Sequence, residues 1–199
     1  MRGFKGGGRG RSVLLITGTP GTGKTTISKL LAKKMAAEYI SITRLVRRYG
    51  LQSSIDRERR TKIVDLNKTR AKLHELLQGK ERLVIVDTHL PDCLPKGFVK
   101  KVIVLRCDPS VLEPRLRRKG WNVGKIRENV LAELLDSCLM VAVGYYGAKR
   151  VSQLDTSRSS VRHTVTSAKG ILLRPTGRET QVDWIGTLMK KDRLTRYLV

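Results

Sequence analysis

Eight residues carry the clearest chemistry in this chain. From Gly18 to Thr25 the sequence GTPGTGKT fits the pattern G-x-x-x-x-G-K-[ST]. Gly18, Gly21 and Gly23 allow a backbone turn in which successive N–H groups, that of Thr22 included, converge on phosphate oxygens. Lys24 then lies across the β- and γ-phosphates of a nucleoside triphosphate, and the Thr25 hydroxyl holds Mg²⁺. The rival reading is a glycine-rich turn with a lysine by accident. It loses force because both flanks are right: an apolar run, Val13 to Ile16, precedes the loop, and Ile27, Leu30, Leu31 and Met35 follow at helical spacing.

A second set lies downstream. The apolar run Leu83 to Val86 ends in Asp87, where a carboxylate beside the loop strand can bind Mg²⁺ directly or through water. His89, two residues on, points the same way in an extended segment. It can position a water or a phosphate acceptor, or gate the site, or it is an ordinary loop histidine. Arg115, Arg117, Arg118 and Lys119 form a cationic run; Arg115 and Lys119, one helical turn apart, can converge on a transferred phosphoryl group while Arg117 points elsewhere. His74 and His163 read as surface residues without a role.

The elements that position these groups follow from the apolar pattern. Strands are expected at Val13 to Ile16, Tyr39 to Ile42, Leu83 to Val86, Val102 to Leu105 and Val151 to Leu154. Thr43 to Gly50 reads as a short helix, and Gln52 to Arg60 as a loop. Ile63, Leu66, Leu73 and Leu77 mark a helix ending near Gly79. Asp108-Pro109 opens a helix that stops at Gly120. Ile126, Val130, Leu134, Cys138 and Val141 mark one long helix from about Lys125 to Tyr146. Ser157 to Gly170 has weak helical periodicity, which Ile171 to Leu173 can close. Val182, Ile185, Leu188 and Met189 form a last amphipathic helix beside Trp184, a packing anchor. Strands alternating with helices predict an α/β fold: a parallel sheet of about five strands with helices on both faces.

The chain has 199 residues and a formal net charge of +24, with only 5% aromatic residues. One domain with an aliphatic core is expected over 12–199, after a glycine-rich basic arm at 1–11 that should be disordered alone. The charge calls for acidic company, nucleic acid first, or else reflects a solvated surface adapted to salt or heat. Cys93, Cys107 and Cys138 lack C-x-x-C spacing, which favours a reducing interior over a disulfide framework or a zinc site. Without a membrane-length apolar run or a signal peptide, the expectation is a soluble cytoplasmic protein.

Several strings together resemble a known family. GTPGTGKTT, YISITRLV, VDTHL, VIVLRCDPSVLEPRLRRKGWNVGKIRENVLAEL and QLDTS are similar to the atypical adenylate kinases that double as small-ribosomal-subunit biogenesis factors. The similarity runs from about Val13 to Asp155, and Val182 to Trp184 (VDW) resembles archaeal members. It implies a P-loop nucleoside monophosphate kinase fold with a monophosphate-binding lobe at about 42–79, a short lid at about 118–128 and a C-terminal helical segment at about 180–199. It implies transfer of the ATP γ-phosphate to AMP, an ATPase activity, a small-subunit ribosomal protein as partner, and a role in ribosomal RNA maturation. By that resemblance Gly21, Gly23, Lys24, Thr25 and Thr26 hold ATP phosphates, Asp87 and His89 form a D-x-H pair, and Arg115 and Lys119 serve at the lid. This chain departs from the family pattern at Arg44, where an acidic residue is usual, at Lys119 in place of arginine, and at Val141 in place of glutamate.

Overall fold

The computed structural model describes residues 12–56, 61–173 and 181–198. The expected disordered arm at 1–11 lies outside them. Five parallel strands, β1 (Val13–Thr17), β2 (Glu38–Ser41), β5 (Val84–Asp87), β6 (Val99–Arg106) and β7 (Val151–Asp155), form one sheet in the order β2-β5-β1-β6-β7. A smaller antiparallel hairpin joins β3 (Gln52–Asp56) to β4 (Thr61–Val64).

The central strands are apolar along their length because both faces are covered. Val13 and Leu15 of β1 pack on one side with Leu73, Leu77, Ala142 and Tyr146, whereas Leu14 and Ile16 pack on the other with Ile27, Leu31, Val165 and Leu172. The first side is covered by α2 (Ile42–Tyr49), α3 (Leu66–Leu77) and α6 (Ser137–Tyr146), and the second by α1 (Lys24–Met35) and α7 (Val161–Leu173). A third apolar cluster beyond the end of β6 joins α4 (Pro109–Arg117), α5 (Val123–Leu134), α8 (Trp184–Met189) and α9 (Thr195–Leu198).

Several elements differ from the sequence-based expectation. Gln52 to Asp56, expected in a loop, pairs as a strand with Thr61–Val64, so tertiary pairing overrides a polar composition. Ile63 belongs to that hairpin and is exposed; α3 starts only at Leu66, where the Asp65 side chain accepts from the Lys68 N–H. The second strand covers Glu38–Ser41, and Ile42 already begins α2. Leu30, Ile185 and Met189, expected on buried faces, are exposed, while Ser28, Ala32 and Trp184 take the interior positions.

The single helix expected from Lys125 to Tyr146 is two. α5 ends at Leu134, Asp136 sits in the left-handed region at φ 56°, and α6 restarts at Ser137. Short polar side chains tolerate that conformation. Arg106, 1% exposed at the end of β6, rewards the break: its Nη2 donates to the Glu133 carbonyl at 3.1 Å and also to the Asp136 carboxylate. The turn rotates α6 relative to α5, which leaves Val141 in solvent.

Candidate functional site

The loop of residues 18–23 joins β1 to α1 at the carboxyl ends of the strands, where open α/β sheets bind ligands. Gly18 leaves β1 at φ 135°, and a Cβ there would meet the Leu105 carbonyl oxygen at 2.3 Å, so β6 leaves no room for a side chain. Gly23 faces open space but adopts φ 93°, a purely conformational demand. The Thr19 carbonyl gathers the loop by accepting from the Thr22 N–H at 3.3 Å, the Thr22 hydroxyl at 2.9 Å and the Lys24 Nζ at 2.9 Å. Thr156, just beyond β7, clamps the same loop by donating its hydroxyl to the Thr22 carbonyl at 3.0 Å.

Burial lowers the Lys24 pKa from 10.5 to about 8, and Asp87 offsets only part of this. Above pH 8 the folded protein therefore sheds a proton that the unfolded chain keeps to about 10.5. Folding stability rises with pH across that window, and at lower pH the protein carries the full cost of a desolvated ammonium. A polyphosphate beside Lys24 restores the proton. Nucleotide affinity should fall as pH rises above about 8, with proton uptake on binding. Calorimetry in buffers of different ionisation enthalpy checks this; affinity that is flat to pH 10 contradicts it.

Asp87 ends β5 in register with Ile16 and is 3% exposed as a residue. It accepts a 3.0 Å hydrogen bond from the Tyr39 hydroxyl, whose pKa burial and Asp87 together push up to about 12. His89 lies at the rim, where the cleft walls and then the Lys24 charge lower its pKa.

A cleft of about 1240 Å³ gathers most of the expected residues: Gly21, Gly23, Lys24, Thr25, Thr26, Asp87, His89, Arg115 and Lys119. Gly18 and Thr22 are not in its lining and support it from behind. Arg117 is directed to Glu113 at 2.6 Å, and neither it nor Arg118 lines the cleft. Arg115 donates Nη2 to the carbonyls of Thr156 at 2.9 Å and Ser157 at 3.3 Å, so only part of its fork is available to a ligand. Lys119 and Lys125 sit over the Trp121 ring, at 5.9 and 4.5 Å from its centroid. Thr43, from α2, lines the cleft as well. His74 and His163 are exposed and outside it.

The Thr25 hydroxyl and Asp87 carboxylate face one cleft beside Lys24 and supply hard oxygen donors. That set suits Mg²⁺, which binds through few protein groups and takes its remaining ligands from phosphate and water. The residues fit the ion.

Sequence reasoning missed the group that fixes this geometry. Glu133, 2% exposed, accepts from the Thr19 hydroxyl at 2.5 Å, Arg106 Nε at 2.8 Å, the Cys107 N–H at 3.0 Å and Trp184 Nε1 at 3.0 Å. Arg106 also donates Nη1 to Gln153 at 2.7 Å. One carboxylate thus ties the phosphate-loop segment to β6, α5 and α8. The signal was present: Glu133 falls on the same helical face as Ile126 and Val130, where a charge is otherwise out of place.

A family model described as an AAA domain matches residues 14–136. A protein of Methanocaldococcus jannaschii named "Putative adenylate kinase" is 34% identical over 171 residues, 86% of this chain and 92% of that protein. The "Adenylate kinase isoenzyme 6 homolog" of Caenorhabditis elegans is 32% identical over 148 residues, 74% of this chain and 81% of its own length. Among solved structures, a gluconokinase from Sinorhizobium meliloti 1021 superposes with a TM-score of 0.55 at 18% identity, covering 85% of this chain and 95% of that one. A shikimate kinase from Bacteroides thetaiotaomicron gives 0.53 at 19% identity, covering 80% and 97%. These neighbours share the fold, a parallel P-loop kinase sheet. The sequence relatives, matched over most of their length, carry the assignment further: this chain belongs to their adenylate kinase family of P-loop proteins.

Proposed function

We propose that this protein transfers the γ-phosphate of ATP to AMP, giving two molecules of ADP. The observation that carries the reading is one continuous cleft lined by the phosphate loop, Asp87 and His89, Thr43 of α2, and Lys119 and Trp121. The space exceeds what one nucleotide needs, as a site for two substrates requires.

In this mechanism the loop from Gly21 to Thr26 grips the ATP phosphates, and Lys24 leaves the Thr19 carbonyl to lie on the β- and γ-phosphates. The lobe at 42–79 holds AMP, and the segment at 118–128 closes over both. Thr25 and Asp87 hold Mg²⁺, which neutralises charge on the phosphates when bound. Lys24, Arg115 and Lys119 stabilise the charge developing on the transferred group, and closure excludes water. No residue here need form a covalent bond, because positioning and charge carry the chemistry.

His89, its pKa lowered, is neutral near pH 7 and offers an acceptor nitrogen to a water near the cleft. ATP hydrolysis in the absence of AMP follows from that. His89→Ala should cut hydrolysis at least about tenfold and transfer far less. Equal loss of both activities contradicts the division of roles.

The family resemblance and the +24 charge support engagement of a small-subunit ribosomal protein and of ribosomal RNA, in the cytoplasm. They also favour a second reading, in which ATP hydrolysis switches such an assembly and AMP transfer is incidental. Following ADP and free phosphate with and without AMP separates the two. The kinase reading expects AMP to accelerate ATP loss with little free phosphate; phosphate equal to ADP, and no effect of AMP, overturns it.

A further inference from the structure

A second cavity, of about 370 Å³, shares Trp121 with the first cleft and is otherwise lined by different residues. Its walls come from α4, the 118–122 turn, α5 and α9, elements far apart in sequence. Two kinds of side chain dominate. Trp121 and Tyr197 supply aromatic surface beside Ile126 and Val130, and Arg117, Arg127 and Arg196 supply three guanidinium groups against one carboxylate, Glu113. Glu113 spans the mouth, accepting from Arg117 at 2.6 Å and from Arg196 at 2.9 Å, and so fixes two of the cations in place. Both are about two-thirds exposed, at 66% and 65%. Trp121 lines this cavity and the catalytic cleft alike.

We propose that this cavity binds single-stranded RNA, one unstacked base entering between the aromatic and aliphatic walls while its flanking phosphates meet the arginines. Aromatic platforms bordered by cations are the common solution for single strands, because every base has a stackable face and every residue a phosphate. The volume lies in the range of small-ligand sites and accommodates a planar base. A purely apolar ligand makes no use of Arg127 or of the exposed faces of Arg117 and Arg196, and an inorganic anion leaves the apolar walls empty. The chain's +24 charge supplies the long-range attraction that a polyanion answers. This inference rests on the proposed engagement of RNA and assigns it a place, in the second cavity and not in the cleft.

The test uses the full chain with its cleft saturated by a non-hydrolysable ATP analogue, and a fluorescein-labelled single-stranded RNA hexamer followed by anisotropy. Two charge-matched double variants are compared. Arg117→Ala with Arg196→Ala strips the cavity of two cations, whereas Lys29→Ala with Lys33→Ala removes the same charge from exposed positions of α1. The cavity variant should bind at least tenfold more weakly in about 0.1 M salt and lose about two units of salt slope. The α1 variant should stay within about twofold of wild type, and ATP-analogue binding should be unchanged in both. Equal losses in the two variants, or none in the cavity variant, overturn the site. A wild-type protein that fails to bind the hexamer at low salt overturns the engagement of RNA itself.

Discussion

Replacing Lys24 with methionine should lower phosphoryl transfer by about 10²–10³-fold while leaving the fold intact. The side chain keeps its length but loses its charge, and the charge is what the reaction uses. In the free protein that ammonium is poised at a cost: burial has lowered its pKa to about 8, and its hydrogen-bond partner is the Thr19 carbonyl of its own loop. Methionine relieves the desolvation, so the variant should unfold at the same or slightly higher denaturant concentration than wild type. Loss of transfer together with retained or improved stability is the signature of a residue strained for function. A parallel fall in stability means that Lys24 acts as a structural tether of the loop. Transfer within tenfold of wild type means that the phosphates lie elsewhere.

The second large effect is structural and comes from Glu133. Glu133→Ala takes from the Arg106 guanidinium, 1% exposed, the more deeply buried of its two carboxylate partners, leaving Asp136 and Gln153, and removes the acceptor used by the Thr19 hydroxyl, the Cys107 N–H and Trp184. Breaking a buried ion pair from one side costs about 3–5 kcal/mol, which urea unfolding should report as a shift in midpoint. Because Thr19 supplies the carbonyl on which Lys24 rests, nucleotide affinity should fall with stability. Replacing both partners, Arg106→Met with Glu133→Leu, should recover part of the stability, since the deeply buried charges are gone and only the partly exposed Asp136 loses its partner. A single-variant cost under about 1 kcal/mol contradicts the idea that this carboxylate fastens the phosphate loop to α8.

Much of the candidate site was legible in the sequence for a physical reason. Loop, strand-end aspartate and cationic helix are each local: Gly18 to Thr25 must turn within eight residues, and Asp87 and Arg115 sit at strand and helix positions that apolar runs announce. The central strands β1 and β5 were also readable, because burial on both faces leaves continuous apolar stretches. What periodicity did not reveal depended on partners distant in the chain. The β3–β4 hairpin is held by cross-strand pairing and not by composition. The break between α5 and α6 occurs because a guanidinium from β6 accepts the role of cap for the Glu133 carbonyl, 27 residues away in sequence. Arg115 lines the cleft, yet the carbonyls that occupy part of its fork come from the end of β7. A helical pattern carried across residues 125–146 has no means of registering such an interaction.

The central claim concerns where the γ-phosphate of ATP goes. The most direct measurement is a single turnover with ATP radiolabelled at that phosphate, an excess of enzyme and Mg²⁺, and AMP present at saturation. The account predicts that the label appears in ADP formed from AMP, at a rate that rises with AMP concentration. Label released as inorganic phosphate at a rate indifferent to AMP would contradict it.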